Sequence, residues 1–436
     1  MRWASNHRKH SVVTSGASRA PAPRPIVASS LSAEATIIST STAAVATRPT
    51  YLLLVLSFVG FIALGLPDAV IGVAWPTLRT HFSLAQDALG PLFITVTVGS
   101  VIASTATGMI LRRLGIGDLL AISCVITSIA LLGYTFAPSW TVLVTLGLLT
   151  GFGAGAIDAA INTHAAVSYS ARLVNVLHAF YGVGAAAGPA LMTAVLTAGR
   201  GWQTGYRIIV AIEIALAFAF ILSRHRWPPP VIAHEDHRPA ALFDTLKLSK
   251  MQLSLVVFLI YTGCEASAGA WVFSLLFEAR DIAMASAGTA VTLYWCGLFA
   301  SRLGYAFLPA NVRPAKVITV CIVAALLGML TLIANLHPAI NAAAIALVGF
   351  ASGPIFPSLI SITPARMGPR HTANAVGLQI SMGAIGLAAL PALCGVIAQR
   401  FGLELIPRLL AGCWLALLLA YLTLQSLTAD NEKASR

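Results

Sequence analysis

The sequence predicts an all-α membrane protein with twelve transmembrane helices in two pseudo-symmetric six-helix halves. Apolar residue types make up 58% of the 436 residues and charged types only 10%, whereas soluble domains have about 45–50% and about 25%. The apolar residues form long runs, and a helix needs ~20 residues to cross ~30 Å of hydrocarbon. Segments of the two halves of the chain also resemble each other.

Residues 1–48 precede the first apolar run and are rich in Ser, Ala, Thr, Pro and Arg, with Glu34 as their only acid. This stretch lacks the apolar core of a secretory signal. Its composition is typical of disorder, and it also fits an acid-poor targeting segment. We therefore expect a disordered or targeting N-terminal tail.

The apolar runs predict six spans on each side of a polar loop. The N-terminal half covers 49–223, a cytoplasmic linker covers 224–250, the C-terminal half covers 251–425, and 426–436 form a cytoplasmic tail. The runs lack the alternating pattern of a membrane barrel. The predicted spans are 51–75, 89–111, 119–137, 140–162, 174–198, 205–223, 252–277, 288–308, 316–335, 339–361, 374–398 and 405–425.

The net charge of +12 would fit nucleic-acid binding, but the basic residues lie between apolar runs. Most of them fall in the two tails, the linker and the other loops on the same side of the predicted bundle. Loops rich in Lys and Arg remain cytoplasmic. We therefore expect no nucleic-acid partner, both termini in the cytoplasm, and a bacterial inner membrane as the location.

The sequence predicts no cofactor and no metal site. The run from His234 to His237 contains two His and two acids, but four adjacent residues cannot all face one ion, so a charged linker is favoured. All six cysteines lie in apolar runs without CxxC spacing, and we expect free thiols that behave as small apolar residues.

Two pairs of segments repeat between the halves. Spans five and eleven share glycine, proline and leucine at one constant spacing, and spans four and ten share a Gly-Phe pair followed by glycine. Transporters built from such repeats bind their solute near the bilayer midplane, between the repeats. The matching residues are Gly184, Pro189 and Leu191 with Gly386, Pro391 and Leu393, and Gly151, Phe152 and Gly155 with Gly349, Phe350 and Gly353.

Three acids lie at membrane depth, where a charge costs about 2.5–3.5 kcal/mol on insertion scales. Asp68 follows Pro67, and a proline can open a helix locally and let polar atoms line a cavity. Asp158 and Glu265 lie far from any loop. Desolvation disfavours the charged carboxylate, and protonation removes the charge before helices rearrange. We therefore predict that Asp68, Asp158 and Glu265 couple proton movement to a conformational change.

Other polar and aromatic residues within spans are candidates for substrate binding, with structural alternatives. Arg302 also fits a structural anchor, His178 a packing residue, and the aromatic residues, which include Tyr181 and Phe356, ordinary packing. Glu213 is expected to pair with Arg207 near the outer boundary. The substrate-binding candidates are Asn162, Asn175, His178, Trp271, Trp295 and Arg302.

Four motifs resemble the fucose–proton symporter branch of the major facilitator superfamily, and the likeness covers roughly residues 51–425. They are Gly151-Phe-Gly-Ala-Gly155-Ala-Ile-Asp158-Ala-Ala-Ile-Asn162, Val174-Asn175-Val-Leu-His178-Ala-Phe-Tyr-Gly182-Val-Gly184, Tyr261-Thr-Gly-Cys-Glu265-Ala-Ser-Ala-Gly269-Ala-Trp271 and Gly353-Pro354-Ile-Phe356-Pro357.

The resemblance implies roles for single residues. Asp68 and Asp158 match the proton-linked carboxyls of that branch, and Asn175 matches an asparagine that contacts sugar. Asp158 stands in place of glutamate and His178 in place of glutamine, so fucose itself does not follow. The loop after span two resembles the superfamily signature without its usual acid, which implies a gating role for Arg113; an ordinary cytoplasmic anchor is the alternative.

These features favour a secondary active transporter that couples the movement of a small polar solute to protons. A sugar is the favoured solute. The same acids would serve efflux of drugs or metabolites by proton antiport. A non-transporting receptor fits the short loops poorly, and a channel fits two like halves less well than alternating access. The sequence contains no P-loop, HExxH or GxSxG motif, so we do not expect an enzyme. We expect a monomer in the lipid bilayer.

Overall fold

A computed structural model describes residues 51–229, 240–309 and 311–434. This part of the chain is helical and contains no strand. Its long helices, named α1 to α12 in order, are Tyr51–His81, Gly90–Leu111, Ile116–Tyr134, Trp140–Ser168, Ala171–Thr197, Trp202–Ser223, Ser249–Ser274, Met284–Ala306, Pro314–Ala334, Pro338–Ser352, Thr372–Phe401 and Leu405–Ala434.

Short helical segments continue or connect these helices. Gln86–Leu89 is a turn of 3₁₀ helix that leads into α2, and Leu275–Ala279 is a π-helical turn that extends α7. Ile355–Ser361 and Thr363–Met367 follow α10 after the break at Gly353 and Pro354. The described ends of the linker contain Arg224–Arg226 and Leu242–Leu246. The predicted N-terminal tail and the run from His234 to His237 lie outside the described residues.

Among the helices of the described residues, eleven are long and apolar enough to cross a membrane. The exception is α8, which carries Arg302 and several hydroxyl side chains and is therefore less apolar. Large apolar side chains such as Ile129, Leu222 and Val320 are exposed on the outside of the bundle, where lipid removes the cost of exposing them to water. The prediction of an all-α membrane protein with twelve spans is confirmed.

The two halves have equivalent helix packing. In the N-terminal half α1 packs on α5, α2 on α4, and α3 on α4 and α6; in the C-terminal half α7 packs on α11, α8 on α10, and α9 on α10 and α12. Between the halves, α5 packs on α8 and α2 on α11. Adding six to each helix number reproduces the pattern, which confirms two pseudo-symmetric six-helix halves.

Glycine contacts show the same symmetry at single-residue level. A Cβ on Gly151 would lie 1.9 Å from the carbonyl oxygen of Val96, and a Cβ on Gly349 would lie 1.9 Å from that of Tyr294. The same number of residues separates Gly151 from Gly349 and Val96 from Tyr294. Only glycine allows the helix backbones to approach so closely, so the repeated glycines in the sequence mark repeated helix contacts.

One predicted ion pair is wrong. Glu213 is almost fully buried, at 1% exposure, and Cys124 lies within hydrogen-bonding reach of its carboxyl. Arg207 is exposed and its guanidinium lies 5.3 Å from the ring centre of Phe136. The two residues are six positions apart on α6 and thus do not share a helix face.

Candidate functional site

A cavity of about 250 Å³ lies at the centre of the bundle. Its walls come from α1 to α6 of the N-terminal half and from α7, α8 and α11 of the C-terminal half. Two carboxyl groups face it, those of Asp68 and Glu265, among aromatic, hydroxyl and small apolar side chains. The polar and aromatic lining residues are Asp68, Phe93, Thr97, Ser100, Tyr134, Thr150, Tyr181, Tyr206, Glu265 and Trp295.

Asp68 reaches the cavity from a continuous helix. α1 runs unbroken through Pro67 and Pro76, so the local opening expected at Pro67 is not present. The flanking residues Pro67 and Ala69 are buried, whereas Asp68 is exposed to the cavity. The Tyr181 hydroxyl donates to Asp68 Oδ2 at 3.2 Å. No Lys or Arg nitrogen of the described chain lies within 4.0 Å of this carboxylate.

Glu265 has a different environment, because it forms an ion pair with Arg302. Arg302 Nη2 lies 3.3 Å from each carboxylate oxygen, and its Nε donates to the carbonyl of Gly353 at 3.2 Å. The hydroxyl of Tyr261, one turn earlier on α7, also donates to Glu265. Tyr294 donates to the backbone carbonyl of Glu265 at 2.8 Å. A charge-assisted network therefore fixes this carboxylate on the cavity wall.

Asp158 and Asn162 form a polar pair on α4, one turn from the lining residue Ala154. Asn162 Nδ2 donates to Asp158 Oδ1 at 3.0 Å, as their shared helix face predicts. Both side chains are half-buried. They lie on the side of the bundle that holds residues 51 and 434, which we call the near side; the opposite side is the far side.

On the far side the two halves are joined by hydrogen bonds and an ion pair. Arg79 Nη2 at the end of α1 lies 2.5 Å from Glu278 Oε1, just after α7. Gln86 Nε2 donates to Glu278 Oε2 at 3.1 Å, and the Gln86 backbone N–H donates to Gln399 Oε1 of α11 at 2.8 Å. The structure is therefore closed on the far side.

The comparisons with known proteins decide the family. The family model described as the Major Facilitator Superfamily matches residues 53–391. The chain belongs to the major facilitator superfamily. Its helices and cavity are accordingly those of a transporter, integral to the membrane and with many spans.

Several known proteins resemble most of the chain. "Bypass of stop codon protein 6" of Saccharomyces cerevisiae is 24% identical over 392 residues, which cover 81% of this chain and 78% of that protein. A mutant of the nucleoside transporter NupG superposes with a TM-score of 0.71 at 14% identity, covering 86% of this chain and 99% of the other. FucP in its outward conformation gives 0.58 at 18% identity, with 87% and 99% covered. These structures share the fold, and the predicted family is confirmed.

The remaining predicted site residues of this transporter occupy several environments. Trp295 lines the cavity and packs edge-to-face on Tyr181, with ring centres 6.4 Å apart. Trp271 does not line it: its indole N–H donates to the carbonyl of Pro391 at 2.9 Å, and the side chain is buried between α7 and α11. Trp271 therefore joins α7 to α11 within the C-terminal half.

Three more predicted residues lie on the near side, outside the cavity lining. Asn175 and His178 on α5 are half-buried, and the His178 ring packs edge-to-face on Phe61 with centres 4.9 Å apart. Arg113 is exposed in the turn after α2. The structure thus brings Asp68, Glu265 and Trp295 together on the cavity wall and leaves Asn175, His178 and Arg113 outside the lining.

Sequence reasoning missed the hydroxyl groups in the N-terminal half. Tyr134 and Tyr206 pack edge-to-face with ring centres 5.7 Å apart, and Thr150 donates to the Tyr134 hydroxyl at 3.0 Å. All three line the cavity. Tyr134 and Tyr206 lie near the ends of predicted spans, where tyrosines are common, and Thr150 lies within a span as an ordinary hydroxyl residue, so nothing in the sequence singled them out.

Proposed function

We propose that this transporter moves a small polar solute by alternating access coupled to protons, and that the solute is a sugar. Asp68 and Asp158 are the proton-carrying groups of this proposal. The proposal places the protein in a bacterial inner membrane with both termini cytoplasmic, so that the near side faces the cytoplasm. It also takes the transporter to be a monomer.

The main support is the position of Asp68. A carboxylate that faces a cavity without a cation is costly at membrane depth, and a proton removes that cost. The contact with Tyr181 gives it a single hydrogen-bond donor. Asp158 has an amide as its partner in place of a cation. Asp68 faces the cavity and can exchange a proton with water there, and for both acids a proton offsets the cost of a buried charge.

The cavity wall also suits a polyhydroxylated solute. Hydroxyl groups of Tyr134, Thr150 and Tyr206 also line the cavity, and they both donate and accept. The indole nitrogen of Trp295 has no hydrogen-bond partner in the described chain. Aromatic faces and paired hydrogen-bonding groups of this kind are what a pyranose ring contacts.

The decisive measurement uses purified protein in liposomes with an imposed pH gradient. A thermal-shift screen against sugars and other metabolites first identifies a solute. Uptake of that solute should follow the gradient, and Asp68→Asn should abolish gradient-driven uptake. The control is Asp118→Asn, since Asp118 lies outside the cavity and pairs with Arg224 at 3.8 Å. Equal uptake with and without the gradient would rule out proton coupling.

Two further variants test the site. Asp158→Asn should abolish gradient-driven uptake and preserve counterflow exchange, which needs no net proton movement. Asn175→Ala should weaken the thermal shift only if the solute reaches the near-side end of α5. Normal gradient-driven uptake in Asp158→Asn would exclude Asp158 from proton coupling, and an unchanged thermal shift in Asn175→Ala would exclude Asn175 from solute binding.

Antiport of organic cations is a second candidate, supported by the charge of the cavity. Its walls carry two carboxyls and several aromatic rings, and the nearest guanidinium, that of Arg302, is held by Glu265. An organic cation could use both the carboxylate and the aromatic faces. Thermal shifts with hexoses and with tetraphenylphosphonium separate the two candidates, because each predicts stabilisation by one probe and none by the other.

A further inference from the structure

The acids of the two halves occupy equivalent positions. Gly184 of α5 approaches the Ile62 carbonyl of α1, and Gly386 of α11 approaches the Leu259 carbonyl of α7 in the same way. Asp68 and Glu265 each lie six residues after the carbonyl in question, so they are equivalent residues of α1 and α7. Both acids face the cavity.

The position equivalent to Arg302 carries no charge. The displacement that relates α2 and α4 to α8 and α10 carries Ser104 onto Arg302. Ser104 Oγ donates to the carbonyl of Gly155 at 3.4 Å, and Arg302 Nε donates to the carbonyl of Gly353 at 3.2 Å. The two contacts are the same feature of the fold, made by a hydroxyl in one half and by a guanidinium in the other.

The neighbours of the two acids differ accordingly. Glu265 is surrounded by Tyr261 from its own helix and by Arg302 and Tyr294 from α8, and the Ser352 carbonyl of α10 accepts from Tyr261. From α5, Tyr181 lies near Glu265 and His178 lies near Arg302. Around Asp68 the titratable groups of the described chain are Tyr181, Tyr134, Tyr206, Asp158 and Glu213, and none of them is a base. Within the described residues, the ion-pair partner is thus present in the C-terminal half and not in the N-terminal half.

We infer that Arg302 keeps Glu265 ionised throughout the transport cycle and thereby restricts proton uptake to the acids of the N-terminal half. Glu265 and Arg302 lie on α7 and α8 of one half, and alternating access moves the halves largely as rigid bodies, so the ion pair persists when the halves rock. This inference rests on the proposed proton coupling. It gives Arg302 the role of a positioning residue that sets the number of protons carried per cycle.

Infrared difference spectra of the reconstituted full chain, recorded between acidic and neutral pH, test the inference without a transported solute. The C=O stretch of a protonated carboxyl reports each acid that gains a proton. Glu265→Gln should remove no titrating band from the wild-type spectrum, whereas Asp68→Asn should remove one. Loss of a titrating band in Glu265→Gln would overturn the inference.

Removing the cation should create a new titrating acid. Arg302→Ser, which installs the residue of the equivalent position, should add one protonated-carboxyl band, and the double variant Arg302→Ser with Glu265→Gln should lack it. Arg302→Lys should resemble the wild type because the charge is kept. Arg302→Gln can still donate to Gly353 and provides the same test if the serine variant does not fold. No added band in a folded variant would contradict the inference.

Failure of the proposed function would give a different result. If transport proves independent of the pH gradient, the proposed coupling fails, but the spectra still report whether Glu265 takes up a proton. If coupling is established and Glu265→Gln loses a titrating band, only the role of Arg302 is wrong.

Discussion

The ion pair between Arg79 and Glu278 joins the two halves on the far side, so its removal should favour the conformation that opens there. Glu278 accepts from Arg79 and from Gln86, both of them in the N-terminal half. The Arg79 and Glu278 side chains are 31% and 17% exposed. Hydrogen bonds to charged groups contribute about 1.5–3 kcal/mol, and exposed ion pairs about 0.2–1 kcal/mol.

For this partly buried geometry we expect Glu278→Gln to destabilise the closed state by about 1–2 kcal/mol, because the amide oxygen still accepts one hydrogen bond. A change of that size alters the ratio of open to closed molecules by about 5–30-fold. Hydrogen–deuterium exchange should therefore rise at the far-side ends of α1, α2 and α11. The rise should be absent from the near-side ends of the same helices.

A second far-side ion pair supplies a matched control. Arg280 Nε lies 2.7 Å from Glu404 Oε1, and both residues belong to the C-terminal half. Glu404→Gln removes a comparable charge without separating the halves, so exchange at the far-side ends of α1 and α2 should not change. If both variants raise exchange there equally, or neither does, the cross-half contact does not hold the closed state and the reasoning is refuted.

Three further predictions concern packing and pH. Trp271→Phe removes the hydrogen bond to α11 and should lower thermal stability by about 1 kcal/mol without changing solute affinity. A large loss of affinity at unchanged stability would show that Trp271 contacts the solute. Gly151→Ala places a Cβ 1.9 Å from a carbonyl oxygen of α2 and should cost about 1–3 kcal/mol, whereas Gly108→Ala, with nothing within 4 Å, should be neutral or slightly stabilising in the same melting assay. The Arg280 guanidinium holds the pKa of Glu404 below its usual range. The ion pair therefore contributes its full stability above the ordinary glutamate pKa of about 4.3, and this contribution is lost as the pH falls through the lower pKa of the folded state. Glu404→Gln should abolish this pH-dependent loss of melting temperature, and the same loss in the variant would contradict the prediction.

Much of the fold was predictable because its signals are local. Span length and apolar composition specify helices in a bilayer without any knowledge of their partners. The repeated glycines carry information about partners as well, since Gly151 and Gly349 are needed where another backbone comes within contact distance. Proline was less informative: Pro67 predicted a local opening, but the tertiary packing of α1 keeps the helix continuous.

The candidate site was predictable only in part, because its arrangement is tertiary. Asp68 and Glu265 stood out because charges are rare at membrane depth. The pairing of Glu265 with Arg302 depends on how α7 packs against α8, which no local pattern encodes. Tyr134 and Tyr206 contribute hydroxyls to the cavity from positions that the sequence presents as ordinary span ends.

The position of the acids relative to the crossing of α1 and α7 relates their charge to movement. A Cβ on Gly72 would lie 2.8 Å from the carbonyl oxygen of Gly269, so the two helices are in backbone contact at equivalent residues of the two halves. Asp68 and Glu265 each precede this contact by one helical turn and face the cavity beside it. Under the proposed coupling, a proton gained or lost at Asp68 would change the charge next to the point where the halves meet, while the ion pair of Glu265 would leave the opposite wall unchanged. The N-terminal half would then respond to the proton, and the C-terminal half would keep its charge.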